Sequence, residues 1–403
     1  MDISQVTSGT LAAYDVVILG EFPLTPTQAS MLSSWVQNGG NLIAMRPDPQ
    51  LASTLGLGAT SGTLSNAYLL FNTSQGPGLG LVNQTVQFHG VADRYSLSGA
   101  TSLATLYSNA NTTANAPAIT LTNFGLGQAA AFTYDLARSV VETRQGNPAW
   151  SGMERDGFPP IRSDDLFFGA AAQDPEPDWI DLNKVSIPQA DEQQRMLANL
   201  ILQMNQQKKP LPRFWYLPHF YQAAVVMTGD DHANGGTVGR FNTYLADSPP
   251  GCSVADWQCV RSTSYVYPGT PMTDAQAASF VSQGFEVALH VTTNCADWTP
   301  ATLDNFYVTQ LAAWQNQYAS EHAPQTNRTH CIAWSDYDTQ PQVEFNHGIR
   351  LDTSYYYWPP SWIQDRPGMF TGSGMPMRFA KADGTRIDVY QATTQMTDES
   401  GQS

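Results

Sequence analysis

Residues 223 to 236 read AAVVMTGDDHANGG, an apolar run that ends in two adjacent aspartates and a histidine. Asp230 and Asp231 repel each other unless positive charge lies between or beside them. A bound divalent cation supplies that charge. His290, at the end of the apolar run EVALHV, offers a nitrogen donor. Asp231 and His290 thus read as oxygen and nitrogen ligands of a zinc-type ion, with positions left for water and substrate. The competing reading of Asp230-Asp231 is a solvated turn with a helix N-cap, because aspartate near asparagine and glycine is ordinary turn chemistry. His290 taken alone reads equally well as a buried core histidine. His232 is open between a direct role and none.

The elements that must position these groups are α/β in pattern. From residue 220 the expected strands are AAVVMTG, TSYVYP, EVALHV, HCIAWS, LDTSYYYW and RIDVYQA. Between them, TDAQAASFVSQG, TPATLDNFYVTQLAAWQNQYASEH and TQPQVEFNHG read as helices or helical turns. Repeated βα units with polar residues at the strand C-termini suit a (β/α) barrel whose active face lies at those ends. A doubly wound open sheet is the alternative. Either way Asp230, Asp231 and His232 fall just past the first strand, and His290 near the end of the third, on one face.

The first half repeats the pattern without the chemistry. YDVVILGE and NLIAMR, separated by the helical TPTQASMLSSWVQNGG, form a βαβ unit with two buried strands, and Gly39-Gly40 supplies the helix stop. A parallel sheet is expected, continued by AYLLFN, TVQFHG, AITLTN and QAAAFTYD. DEQQRMLANLILQMNQQ carries Met196, Leu197, Leu200, Ile201 and Met204 at helical spacing and should cover that sheet. Residues 1–150 are expected as the first domain, 151–209 as linker and packing helix, and 210–403 as the second domain.

Composition excludes other classes. Nineteen basic residues against 35 acidic give a net charge of -16, and no cluster of Lys and Arg suits phosphate neutralisation, so nucleic acid is not an expected partner. No apolar run reaches the roughly 20 residues of a membrane span. Cys252, Cys259, Cys295 and Cys331 all lie in the second half. They read either as two disulfides, 252 with 259 and 295 with 331, or as buried thiols. Disulfides, and sequons at Asn72, Asn83, Asn111 and Asn327, fit an extracellular or cell-surface protein whose leader is absent from this chain.

VVMTGDDHANGG resembles the T-F-D-D-G motif of polysaccharide deacetylases of the NodB-homology type. MTDAQAASFVSQGFEVALHVTTN resembles the segment in which that family carries H-[ST]-x-x-H. The likeness covers residues 220 to 395. It implies a (β/α) barrel in which Asp230 is the catalytic base, Asp231 and His290 hold the metal, and the second metal histidine falls at Asn294. Asn294 reads either as a weaker oxygen ligand or as a loop cap. The family's R-P-P-Y motif has no counterpart in HCIAWSDYDTQ, and Arg328 is the nearest arginine. The general acid is either beyond Ser403 or replaced by His330 or His347. The implied reaction is hydrolysis of N-acetyl groups on an amino-sugar polysaccharide with a divalent metal, Zn2+ by its donors. The alternatives are a carbohydrate-binding protein whose active site has decayed, and a metal-dependent amidase on a non-sugar amide.

Residues 10 to 140 are similar to the glutamine amidotransferase-like, flavodoxin-type domains, begun partway into the fold as if truncated. That family's nucleophile is a cysteine after a strand, and no cysteine precedes Cys252. The amidotransferase reaction is therefore not expected, and the domain reads as a structural or carbohydrate-orienting module. TSYYYWPPSW, with Tyr355 and Trp358, reads as a sugar-stacking platform or as core packing. Asp352 either orients a catalytic group or begins a strand.

Overall fold

The computed structural model describes residues 1–74, 76–169, 178–208, 217–355, 368–369, 371–372 and 374–396. They divide into two compact α/β units. The first comprises Met1–Arg144, Ile180–Pro212 and Arg366–Ser373, and the second Gln145–Trp179, Arg213–Asp365 and Gly374–Ser403. The stretch expected as linker is thus shared between them.

In the first unit a one-turn helix α1 (Ser8–Leu11) leads into β1 (Val16–Leu19), α2 (Pro26–Gln37) and β2 (Asn41–Met45). Thr25 opens α2 through a capping box with Gln28, and Pro26 takes the first turn, where its missing N–H costs nothing. Gly39 ends the helix at φ 107°, a conformation that favours glycine. β1 and β2 pair in parallel, as expected, with Val16 opposite Asn41. Only β2 is buried throughout; β1 is the sheet edge and leaves Ile18 45% exposed.

The remaining strands are β3 (Leu57–Phe71), β4 (Val86–Leu97), β5 (Thr101–Asn109), β6 (Thr112–Phe124) and β7 (Gly127–Phe132). The sheet order is β1-β2-β7-β6-β5-β3-β4. The expectation of a parallel sheet holds only for β1, β2 and β7, because β7-β6, β6-β5, β5-β3 and β3-β4 are antiparallel. Connections such as the turn between β5 and β6 are too short for the crossover that parallel pairing needs. Helix α3 (Leu136–Gln145) follows, and α4 (Gln189–Asn205) buries Met196, Leu200 and Met204 of the expected stripe and leaves Leu197 and Ile201 half-buried. On α4, Gln193 accepts hydrogen bonds from Tyr134 and Ser139 and donates to the Gln87 carbonyl.

The second unit contains β8 (Thr228–Asp231), α5 (Gly236–Asp247), β9 (Thr263–Val266), α6 (Asp274–Ser282), β10 (Glu286–Leu289) and α7 (Pro300–Gln317). It continues with β11 (Thr326–Asn327), α8 (Thr339–Asn346), β12 (Leu351–Asp352), β13 (Met377–Ala380) and β14 (Arg386–Gln391). The order is β13-β14-β12-β11-β10-β9-β8. All neighbours are parallel except the β13-β14 pair. Each step from β8 to β12 moves the same way across the sheet, so the reversal that defines a doubly wound sheet is absent. Among the described residues β8 and β13 are opposite edges, and the ladder does not close.

Two expected strands are corrected. Val225 and Val226 are 78% and 82% exposed, and β8 begins only at Thr228, so the aspartates are the last two residues of the strand itself. HCIAWS is a turn with Cys331 and Ile332 at positive φ, and the strand in that place is Thr326–Asn327. Phe241, Val266, Phe285, Leu289, Leu303 and Trp314 form the core between sheet and helices. Asn327 is buried in this sheet, so its sequon is closed to glycan attachment.

His89 provides a stability test for the first unit. Burial pushes its imidazole down to about 3 from an ordinary 6.5. The unfolded chain therefore binds the extra proton across that interval, and stability is full above pH 6.5 and falls as pH drops toward 3. The loss should amount to a few kcal/mol, on the order of 1.4 per pH unit traversed. Urea midpoints measured from pH 7 to pH 4 should show this slope, and His89→Gln should flatten it.

Candidate metal centre

Parallel register brings the strand ends level. Asp231 lies opposite Val266, Leu289 opposite both Val266 and Asn327, and Asn327 opposite Asp352. The residues that follow these pairs, His232, Tyr267, His290 and Arg328, therefore emerge on one rim. Strand alternation separates the two aspartates, because successive side chains leave on opposite faces.

Asp231 is fully buried and turned toward α5. Its Oδ1 accepts from the backbone N–H of Asn234 (3.0 Å) and Gly235 (3.1 Å), and its Oδ2 from the Thr237 N–H (3.0 Å) and hydroxyl (2.8 Å). Burial works to raise this carboxyl, but the Thr237, Gly235 and Asn234 hydrogen bonds overcome it and hold the group below the usual range. The carboxylate closes the first turn of a helix that has no side-chain cap of its own at Gly235. Of the two readings of this residue, the helix-capping contacts are the ones the geometry contains.

Asp230 faces the other way. Its Oδ2 lies 3.3 Å from Arg328 Nε and 3.9 Å from His290 Nε2, and its Oδ1 is buried without a hydrogen-bond partner. The Arg328 contact is an ion pair whose alignment falls short of a hydrogen bond. His290 is 1% exposed. Its Nδ1 donates to the Arg328 carbonyl at 2.6 Å, which fixes the tautomer and leaves Nε2 a bare lone pair with no partner. Burial pushes this imidazole down to about 4, so it is neutral near pH 7.

His232 and His330 complete the group. His232 stacks on His290 with ring centroids 5.2 Å apart and meets His330 edge-on at 4.5 Å. Ring nitrogens of His232, His290 and His330 all lie within 4.8 Å of one another. Burial and the neighbouring His232 push His330 below its ordinary value, against the pull of Asp230. Two nitrogens bound to one tetrahedral zinc lie about 3.4 Å apart, so the three rings would have to draw together to share an ion. These side chains could hold a metal ion: one is buried, neutral, oriented from behind and otherwise without a partner.

Asn294 adjoins Cys295, whose sulfur lies within 4.8 Å of a His330 ring nitrogen. It sits at φ 60° in an exposed turn, its N–H donating to the Thr292 hydroxyl. Next to it the Cys295–Cys331 disulfide ties the turn to the residue after His330. Cys252–Cys259 forms the second bridge, and no described cysteine is free.

Asp352 is buried beneath the rim and accepts from the Ser354 N–H (3.0 Å) and hydroxyl (2.7 Å). It belongs to a network with Gln340, Glu344, Asn327 and Tyr307. Tyr355 is a core residue, packed edge-on against Trp334 at 5.0 Å and donating its hydroxyl proton to the Gln145 carbonyl. Trp358 lies outside the described residues. His347 pairs with Asp304 at 2.8 Å and stacks on Tyr307, away from the histidine group.

Sequence reasoning named Arg328 as the nearest arginine and His330 as a candidate general acid, but it did not place His330 beside His232 and His290 or pair Arg328 with Asp230. It also missed a separate acidic group, Glu154, Asp156 and Asp165, whose carboxylate oxygens lie within 4.8 Å of one another.

No family model matches the chain, and no curated protein matches it. Among solved structures it is similar over 31% of its length to a β-galactosidase from Bacillus circulans sp. alkalophilus, at 16% identity and TM-score 0.27. An exo-β-1,4-mannosidase, Op5Man5 from Opitutaceae bacterium strain TAV5, is similar over 32% of the chain at 19% identity and TM-score 0.25. The chain spans 21% and 22% of the length of these two enzymes. A third likeness, to cytoplasmic protein STM3548 from Salmonella typhimurium, covers 33% of this chain and 67% of that one at 14% identity and TM-score 0.28. At such TM-scores none of the three carries weight for fold or function.

The capping geometry of Asp231 is directly testable. Asp231→Ala should cost about 2–3 kcal/mol through the loss of charge-assisted hydrogen bonds to α5. Chemical denaturation measures that cost. Any divalent metal taken up per folded chain should be retained in this variant, because the His232, His290 and His330 nitrogens that could hold one do not include this carboxylate.

Proposed function

We propose that this chain is a metal-dependent hydrolase that removes N-acetyl groups from an amino-sugar polysaccharide. The observation that carries the reading is the buried Nε2 of His290, partnerless and facing Asp230, with the His232 and His330 nitrogens beside it. The likeness of GDDH and EVALHVTTN to polysaccharide deacetylase motifs supports the reaction class. A histidine donor set suits zinc among the divalent metals.

In this reading His232, His290 and His330 hold the ion, and Asp231 keeps its hold on α5. When bound, the metal polarises the acetyl carbonyl and lowers the pKa of a coordinated water. Asp230 takes the proton from the attacking water on Oδ1, which has no other partner. Arg328 pairs with Oδ2 of the same carboxylate and keeps it turned to the rim. The Arg328 carbonyl holds the His290 Nδ1 proton and so preserves the ligand tautomer. Tyr267, with its ring 5.3 Å from both His290 and His232, forms an aromatic wall beside the reacting groups.

The second unit is then a (β/α) barrel-type catalytic domain, and the first an amidotransferase-like module without its nucleophile. The two disulfides support an extracellular setting. A polysaccharide-binding protein without turnover is the second reading, favoured by Asn294 standing where the deacetylase motif has a histidine.

Acetate release from N-acetylglucosamine oligomers, with metal-loaded and chelated protein, decides between them. Loaded protein should release acetate, chelation should abolish it, and Asp230→Asn should lower the rate by about 10²–10⁴-fold, as expected for loss of a general base. His290→Ala should fold and lose its metal stoichiometry. Glycan binding without acetate from loaded protein would establish the second reading, and acetate released only from non-sugar amides would replace the substrate class.

A further inference from the structure

The acidic group at Glu154, Asp156 and Asp165 belongs to the second unit and shares no residue with the histidine centre. Three carboxylates within 4.8 Å of one another repel unless a cation or protons lie among them. Asp165 satisfies itself locally: Oδ1 accepts from the Arg155 and Asp156 N–H groups, and Oδ2 from that of Arg162. Asp156 does not. It is only 4% exposed; its Oδ1 accepts from the Phe158 N–H, its side chain otherwise meets the Glu154 carboxyl, and its Oδ2 is buried without an N–H or hydroxyl donor. Next to Asp165, Asp164 is fully buried with both carboxylate oxygens partnerless. Burying such oxygens unpaired costs far more than three exposed surface acids would.

The nearby guanidinium of Arg162 does not cancel this charge by bonding to it. Its Nε donates to the Cys331 carbonyl and its Nη1 to the Phe158 carbonyl. Two oxygens each 2.3–2.6 Å from one calcium ion are at most about 5 Å apart, so the carboxylates span the right distance for a shared hard cation. Glu154 is exposed, which leaves one side of the group open to the waters that complete six to eight oxygen ligands. Magnesium, needing near-ideal octahedral geometry at shorter range, fits this flexible rim less well.

We infer that Glu154, Asp156 and Asp165 form a calcium site, independent of the histidine centre, that fastens segment 154–165 onto the chain following His330. The fastening is visible on the other side of the segment. Ile161 accepts from the Trp334 N–H at 2.8 Å, Arg162 bridges Ala333, and Asp297 accepts from the Ile161 N–H at 2.8 Å. A cation at the acidic group neutralises the segment's inner face while these bonds hold its outer one.

Terbium is a suitable probe because it takes calcium's oxygen ligands and emits when a nearby tryptophan is excited. Trp150 lies against the guanidinium of Arg155, the residue between Glu154 and Asp156, at 3.2 Å. Titrating the full chain with Tb3+ should give saturable sensitised emission that Ca2+ displaces. Ca2+ should also raise the melting temperature of the chelated wild-type protein. Asp156→Asn should weaken Tb3+ binding at least tenfold, whereas His232→Ala should leave it unchanged. Should Asp156→Asn fail to fold, Glu154→Gln at the exposed rim takes its place, with a weakening of the same sign. Emission that Ca2+ does not displace, a melting temperature indifferent to Ca2+, or equal affinity in the carboxylate variants overturns the site.

Discussion

The carboxylate of Asp231 is the constraint on which the second unit's rim depends. Four donors, the N–H groups of Asn234 and Gly235 just before α5 and the N–H and hydroxyl of Thr237 in its first turn, converge on its two oxygens. Fixing Asp231 inward obliges Asp230, one residue earlier on the same strand, to point outward. The pair of like charges is thereby resolved by geometry: one is neutralised by backbone dipoles and a hydroxyl, the other meets a guanidinium. Register then does the rest, since β9, β10 and β11 end level with β8 and deliver Tyr267, His290 and Arg328 to the place Asp230 faces.

Much of this was legible in the residues. EVALHV is a buried strand with its histidine at the end, and the helices α6 and α7 begin at Thr273 and Thr299, which cap them as their sequences suggest. Other parts were not legible, for physical reasons. AAVV looks like a strand core by composition, yet it precedes the sheet and is exposed. Cys331-Ile332-Ala333-Trp334 has the letters of a strand, but a disulfide and two positive φ angles make it a turn. A strand of two residues, Thr326–Asn327, has no period to detect. Helix α5 is opened by a carboxylate five residues upstream across two glycines, a start that the Asp-Asn-Gly turn chemistry signalled without saying which aspartate would cap it.

The candidate site shows the same division. His290 and Asp230 were visible because each ends an apolar run. The grouping of His330 with them depends on which face a turn presents, a property of tertiary structure alone. Tyr355 was open between stacking on sugar and packing the core, and its burial against Trp334 and Phe379 decides for the core. In the first unit the titratable groups that meet beyond β1 and β2 neutralise one another, Arg46 pairing with Glu21 at 2.8 Å and with Asp93 at 3.3 Å. That unit's buried polar residues, Gln193 with Tyr134 and Ser139, satisfy one another.

The bridge between Cys295 and Cys331 has a consequence for how the protein is made. It joins the loop after β10 to the residue adjoining His330, across a sequence separation of 36. A polypeptide synthesised where thiols stay reduced would present that imidazole on an untethered loop, with an entropic disadvantage to ordering of about 4 kcal/mol. Material produced in a reducing cytosol and material passed through an oxidising compartment are therefore different starting points for metallation. A low metal content in the former would report on its biosynthetic history before it reported on its ligands.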